Sequence, residues 1–376
     1  MSLRVLVVDD TAVFRKVVSD ALAGIPDVEV CGTASNGKLA LARLETARPD
    51  LLTLDLEMPE MNGIETLEAL ARIDGAPGAL MISSGTVRGT QTTMRALELG
   101  AFDFIAKPDG GNAESTILKL RGVLAPKLAA FARQREIRQL LNHSYRKPAT
   151  SMASHTTPPP PPATAPVQGR STGPSGATDN RIVKPALILI GVSTGGPRAL
   201  AEVLPSLPAE LPAPIFIVQH MPPLFTAALA QSLQAKSRIR IKEAEDGEVA
   251  TPGCAYLAPG GRHMTLVPAG MNRPVIRLTD GPPEHGCRPA VDVLFRSVAS
   301  AFPQRSIAVV LTGMGTDGTE GVRELKKSGC VSIAQDEATS IVFGMPREVI
   351  RAGIADHVVP LGLVAAEIMR QVRDAK

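Results

Sequence analysis

A chain of 376 residues that is 44% hydrophobic and 20% charged is long enough for two compact domains and too apolar to stay disordered throughout. With no Trp, two Tyr and a net charge of +3, it has little with which to stack bases or coat phosphates, so no nucleic-acid partner is expected. Its longest apolar runs fall short of the ~20 residues that cross a bilayer, and no membrane insertion is expected.

In chain order, short buried strands are predicted over 4–8, 28–33, 51–54, 79–83 and 104–105, with helical patterns such as 13–23 and 63–70 between them. That alternation predicts a parallel sheet built from five βα units. The first strand runs directly into Asp9 and Asp10, unlike a secretory leader, and a cytoplasmic location is expected. A helix is predicted over 115–141. A basic connector follows, rich in Pro, Ser, Thr, Ala and Gly, with five consecutive prolines at 158–162; it suits an extended tether rather than a core. Beyond it, near-continuous apolar runs at 186–190, 215–219, 307–312 and 331–334 predict a second open, mostly parallel, doubly wound α/β sheet. The expected division is 1–122, then a helical extension and linker over 123–181, then 182–376. The cysteines Cys31, Cys254, Cys287 and Cys330 include no C-x-x-C pair and no His at ligand spacing, so neither a disulfide framework nor a zinc site is expected.

Open parallel sheets bind ligands beyond the carboxyl ends of their strands. In the first domain that edge collects Asp9, Asp10, Asp55, Ser83 and Lys107. One acid there is ordinarily a solvated strand end; five polar groups at successive ends predict a pocket. Three carboxylates repel one another unless a cation joins them, and all-oxygen donors suit Mg²⁺. A carboxylate so placed, facing a hydroxyl and an ammonium, is fit to accept a phosphoryl group. The strings V-V-D-D, L-D-L-E-M-P-E-M-N-G, M-I-S-S and A-K-P make residues 1–122 resemble a two-component receiver domain of flavodoxin-like (βα)5 fold. The resemblance implies that Asp55 is the phosphoacceptor, that Asp9 and Asp10 join it as Mg²⁺ ligands, and that Ser83, Phe104 and Lys107 are the switch hydroxyl, switch aromatic and phosphate-sensing cation. Asn62 departs from the pattern, which often has Asp before the glycine, at a place outside the pocket.

In the second domain a strand leads into Gly191-Val192-Ser193-Thr194-Gly195-Gly196-Pro197 and then into a helical pattern. Gly-x-Ser-x-Gly at such a turn fits a nucleophile elbow; a dinucleotide loop with its middle glycine replaced by Ser193 is the competing reading. A nucleotide fold wants an acid at the end of the next strand, whereas this chain has His220 there. A lone histidine is more often structural, yet this one ends the strand expected beside that of Ser193. The strand over 307–312 opens into Gly313-Met314-Gly315-Thr316-Asp317-Gly318. That loop reads as a phosphate nest or as the source of an orienting carboxylate, and no lysine stands near to favour the nest. Ser193, His220 and Asp317 together give serine hydrolase chemistry, with the Met314 N–H as an oxyanion donor.

The order Ser, His, Asp disfavours the common α/β-hydrolases, which run Ser, Asp, His. The strings I-G-V-S-T-G-G-P, V-Q-H-M-P, A-E-D-G-E, Y-L-A-P-G-G-R-H-M, R-P-A-V-D-V-L-F, L-T-G-M-G-T-D-G and F-G-M-P-R-E resemble instead the catalytic domain of the chemotaxis protein-glutamate methylesterases, the CheB family, across about 183–374. That resemblance implies demethylation of glutamate γ-methyl esters, and deamidation of selected glutamines, on chemoreceptors as substrate partners. It further implies a chemotaxis histidine kinase as phosphodonor, Mg²⁺ in the receiver, no cofactor at the esterase site, and inhibition by the receiver that phosphorylation relieves. A receiver-controlled binding or scaffold protein without catalysis is the alternative, and ester turnover separates the two. A transcription factor would need a basic helix-turn-helix after the linker, and none is predicted.

Overall fold

A computed structural model describes residues 2–108, 112–145, 187–303 and 306–374. The proline run and the rest of the predicted tether lie outside the described residues.

The N-terminal unit alternates β1 (Leu3–Val8), α1 (Ala12–Ala23), β2 (Val28–Ala34), α2 (Gly37–Ala42), α3 (Leu44–Ala47), β3 (Leu51–Asp55), α4 (Gly63–Leu70), β4 (Gly78–Ser83), α5 (Val87–Glu98) and β5 (Asp103–Ala106), and ends in α6 (Ala113–Tyr145). The strands form one sheet in the order β2-β1-β3-β4-β5, parallel throughout. That is the flavodoxin-like order, in which ligands sit beside the first strand at the carboxyl edge. Every residue of β3 is buried, as a strand covered on both faces requires. Helices α1 and α6 pack together, and α6 drives Leu120, Leu124, Leu128 and Phe131 into the sheet's core, with Phe131 edge-on to Phe102 at 5.2 Å. Asn62 caps α4: its side chain accepts from Glu65 N at 3.0 Å while Glu65 accepts from Asn62 N at 2.9 Å, a capping box. The departure from the receiver pattern thus starts a helix.

The C-terminal unit contains β6 (Leu187–Val192), α7 (Gly196–Val203), β7 (Ile215–Gln219), α8 (Phe225–Gln234), β8 (Arg240–Glu243), β9 (Cys254–Leu257), β10 (His263–Ala269), β11 (Arg273–Thr279), α9 (Val291–Ala301), β12 (Ser306–Val310), α10 (Thr319–Lys326), β13 (Val331–Gln335), α11 (Met345–Arg351), β14 (His357–Val359) and α12 (Leu361–Asp374). Seven strands form a parallel sheet ordered β14-β13-β12-β6-β7-β9-β8. The antiparallel hairpin β10–β11 stands apart from it and did not figure among the expected strands, because its alternating pattern is short and half exposed. One face of the sheet is covered by α7, α8 and α12, the other by α9, α10, α11 and the hairpin. Connections leave β6 toward β7 on one side and reach β12 on the other, so the crevice opens at the carboxyl ends of these three central strands.

The two units pack against each other. Helix α5 lies on α7 and α8, and one buried apolar cluster continues from Met94, Leu97 and Phe104 into Ala199 and Phe225. Phe104 stacks on Phe225 with centroids 4.5 Å apart. At the rim, Glu98 accepts from Ser232 Oγ and from Lys236 Nζ, both at 2.6 Å. Among the described residues, no helix is long and apolar enough to cross a membrane.

Candidate active site and acidic pocket

At the carboxyl edge of the first sheet, Asp9, Asp10 and Asp55 offer carboxylate oxygens that all lie within 4.8 Å of one another. Lys107 Nζ bridges Asp9 Oδ2 and Asp55 Oδ2, each at 2.9 Å, and sits 4.7 Å from the Phe14 ring. Burial pushes the Asp55 carboxyl up to about 6; Lys107 pulls against this and the charge of Asp9 adds to it. Lys107 itself is raised: burial opposes its charge, and bonds to the two aspartates outweigh that. An all-oxygen trio with one member this uncomfortable fits a hard divalent cation such as Mg²⁺. Gly63 is required beside it, since a Cβ there would stand 2.4 Å from the Asp55 carbonyl oxygen. The Ser83 hydroxyl does not join the trio. It is fully buried and accepts from Thr93 Oγ1 at 2.7 Å while facing the Gly89 carbonyl at 3.3 Å.

In the second sheet, β6 delivers Ser193, β7 delivers His220 and the loop after β12 delivers Asp317. Backbone bonds extend the ladder beyond the strands: Ser193 N donates to Thr312 O at 3.0 Å and His220 N to Val192 O at 3.2 Å. The elbow turns at Gly195, whose φ of +80° is open to glycine and strained for other residues, and Pro197 enters the first turn of α7. Close approach at the third loop also depends on glycine, because a Cβ on Gly313 would lie 2.8 Å from Ser193 Cβ and 2.4 Å from Met345 Sδ.

His220 and Asp317 lie 97 residues apart in sequence, yet Nε2 and Oδ2 meet at 2.7 Å. Asp317 is almost wholly buried and receives two backbone N–H groups from the start of α9, Val291 N at 2.7 Å and Asp292 N at 2.8 Å. Burial would raise its carboxyl, but the bonds to His220 and to those N–H groups hold it below the usual range, as a helix N-terminus favours an anion. Burial likewise works against a charged His220; the bonds to Asp317 and Cys287 outweigh it and carry the imidazole up to about 9. No hydrogen bond joins Ser193 Oγ to His220 in this arrangement. With Nε2 committed to Asp317, the nitrogen left to serve Ser193 is Nδ1.

Sequence reasoning missed several supporting groups. Gln219 Nε2 donates to Ser193 O at 2.9 Å and His220 O at 3.1 Å, clamping the two loops together. Thr312 Oγ1 donates to Thr194 O at 2.9 Å. Asp292, fully buried, accepts from Gly321 N at 2.6 Å and pairs with His285 Nε2 at 2.9 Å. Both Gln219 and Asp292 stand inside strings already noted, V-Q-H-M-P and R-P-A-V-D-V-L-F, but nothing local says where their side chains go. Met314 N–H finds no acceptor among the described residues, and Met314 lines a neighbouring groove of about 500 Å³ under α6. The cleft of about 340 Å³ that holds Ser193 and His220 is walled on its other side by Phe104, Ala106 and Lys127 of the N-terminal unit.

Comparison with known proteins decides the family. Residues 188–368 match the model described as CheB methylesterase, and residues 5–116 match the response regulator receiver domain. The chain is 48% identical over 378 residues to a protein-glutamate methylesterase/protein-glutamine glutaminase of Desulfotalea psychrophila, covering 99% of both chains. It belongs to the CheB methylesterase family. The protein of the same description from Bacillus subtilis is 40% identical, again over 99% of both chains. Among solved structures, the Thermotoga maritima CheB methylesterase catalytic domain is 43% identical, covers 50% of this chain and 98% of its own, and has a TM-score of 0.49. The chain is thus a protein-glutamate methylesterase that carries a response regulator receiver domain.

Proposed function

We propose that Ser193, His220 and Asp317 hydrolyse glutamate γ-methyl esters on cytoplasmic portions of chemoreceptors, and deamidate selected receptor glutamines, when Asp55 of the receiver is phosphorylated. The observation that carries this reading is the 2.7 Å bond to buried Asp317 from His220, which lines the same crevice as Ser193. Ser193 Oγ attacks the side-chain carbonyl and its proton passes to His220 Nδ1. The imidazolium, stabilised by Asp317, then returns a proton to departing methanol or ammonia. Water repeats the cycle on the acyl enzyme. The unpaired N–H of Met314 is the proposed oxyanion donor, an interaction worth ~3 kcal/mol where it forms.

In the receiver, Asp9, Asp10 and Asp55 would hold Mg²⁺, which supplies charge neutralisation for phosphoryl transfer from a chemotaxis histidine kinase. Lys107 keeps the Asp55 carboxylate aimed outward, and Phe104 carries the state of the pocket to the other domain. Support for covering as the mode of inhibition comes from Phe104, seated between the pocket and the cleft and stacked on Phe225.

The test is methanol release from methylated receptor membranes by the full chain, with and without a small phosphodonor. Ser193→Ala should fall below about a hundredth of the wild-type rate while keeping its thermal midpoint. A folded Ser193→Ala enzyme with substantial turnover would remove the serine from the reaction.

A further inference from the structure

Two buried glutamines end strands on either side of the catalytic loops. Gln335, the last residue of β13, accepts from Thr312 N through Oε1 at 2.7 Å, and Thr312 O accepts from Ser193 N at 3.0 Å. That chain of bonds stops at the entrance to the Ser193 turn. Gln219, the last residue of β7, reaches both catalytic loops. Its Nε2 carries two hydrogens, and they go to the carbonyl oxygens of nucleophile and base, Ser193 O at 2.9 Å and His220 O at 3.1 Å.

The surroundings admit one orientation of this amide. Gln219 is almost wholly buried and lies across the Ser193 turn over Gly196, where a Cβ would stand 1.9 Å from Oε1. Turning the amide over would press Oε1 against two carbonyl oxygens and take the donors away from both. With the amide as it stands, the backbone of each catalytic residue is held from two sides. Ser193 is tied through N to Thr312 and through O to Gly196 N, at 2.8 Å, and to Gln219. His220 is tied through N to Val192 O and through O to Gln219.

We propose that Gln219 is a positioning residue for the esterase, its one amide nitrogen fixing the spacing between the Ser193 and His220 backbones so that the bond from Oγ to the imidazole closes by rotation of the Ser193 side chain alone. The proposal rests on the reading of Ser193 as nucleophile and His220 as base. Gln219 touches neither substrate nor reacting atoms. Its effect is on distance, and a reacting group misplaced by ~1 Å loses about a hundredfold in rate.

The experiment compares the full chain with Gln219→Met and Gln219→Glu, which keep the length of the side chain but have no N–H to give. A fluorophosphonate, reacted to completion, counts the sites with a competent serine. Methanol release from methylated receptor membranes, with a small phosphodonor present, then gives the rate per counted site. Both variants should lose about a hundredfold in rate per site with KM little changed. The acid limb of the pH–rate profile should stay in place, because the bond between His220 and Asp317 is untouched. A rate per site within about twofold of wild type in either variant would overturn the proposal. A loss confined to the number of sites, down to none, would make Gln219 a structural residue and overturn it equally. A displaced acid limb would put the fault in the pair of His220 and Asp317 and overturn it too. A wild-type chain that releases methanol yet takes up no label at Ser193 would instead bring down the reading of the nucleophile, and the proposal with it.

Discussion

The rim contact between Glu98 and Lys236 gives the covered arrangement a measurable handle. Glu98 accepts from Lys236 and Ser232 at 2.6 Å; burial alone would raise its carboxyl, and these two bonds bring it below the usual range. Both side chains are over a third exposed, so solvent screening limits the pair to ~0.2–1 kcal/mol. Glu98→Lys removes that attraction and adds a repulsion of similar size against Lys236. The covered state should therefore lose ~0.4–2 kcal/mol, a ~2–30-fold change in the ratio of covered to open molecules. Where the covered form dominates, methanol release without phosphodonor should rise by that factor, less so at high salt. Lys236→Glu should act alike, and the reciprocal double variant should return toward the wild-type rate. Single variants indistinguishable from wild type, or a double variant as active as either single, would refute the claim that this contact holds the receiver over the cleft.

Asp317→Asn should slow turnover by up to ~10⁴-fold through loss of the correct tautomer. It should also move the acid limb of the pH–rate profile downward: His220 stands at about 9 against Asp317, so the wild-type rate climbs with pH toward that value, and without Asp317 the lowering effect of burial remains. Because the folded value lies above the ordinary 6.5, the pair's stabilisation is complete below that pH and fades as pH rises through about 9; thermal melts from pH 6 to 10 should show the decline in wild type and less of it in Asp317→Asn. Asp55→Asn should abolish Mg²⁺-dependent, hydroxylamine-sensitive labelling from a small phosphodonor, and full labelling of that variant would move the phosphoacceptor elsewhere. Gly313→Ala should depress kcat more than KM, since its Cβ would lie 2.8 Å from Ser193 Cβ; an unchanged kcat would show that the Ser193 loop yields freely.

What the sequence alone determined was local or periodic. Fully apolar runs such as Leu187–Ile190 mark strands buried on both faces, and polar residues immediately after them must lie along one sheet edge, which places Ser193 with His220 and Asp9 with Asp55. The helix observed over 113–145 was legible from its apolar spacing as one over 115–141, whereas the β10–β11 hairpin was not, its pattern being too short and mixed. Tertiary structure decided everything that depends on side-chain direction between distant segments. It chose Nε2 of His220 for Asp317 and thereby Nδ1 for the serine. It brought the start of α9 under Asp317 and turned Ser83 toward Thr93. The covering of the cleft by Phe104 was likewise beyond local reading. Strand periodicity constrains a residue's edge and face within a few positions of chain, but a hydrogen bond across 97 residues exists only after the second sheet and its loops have closed around it.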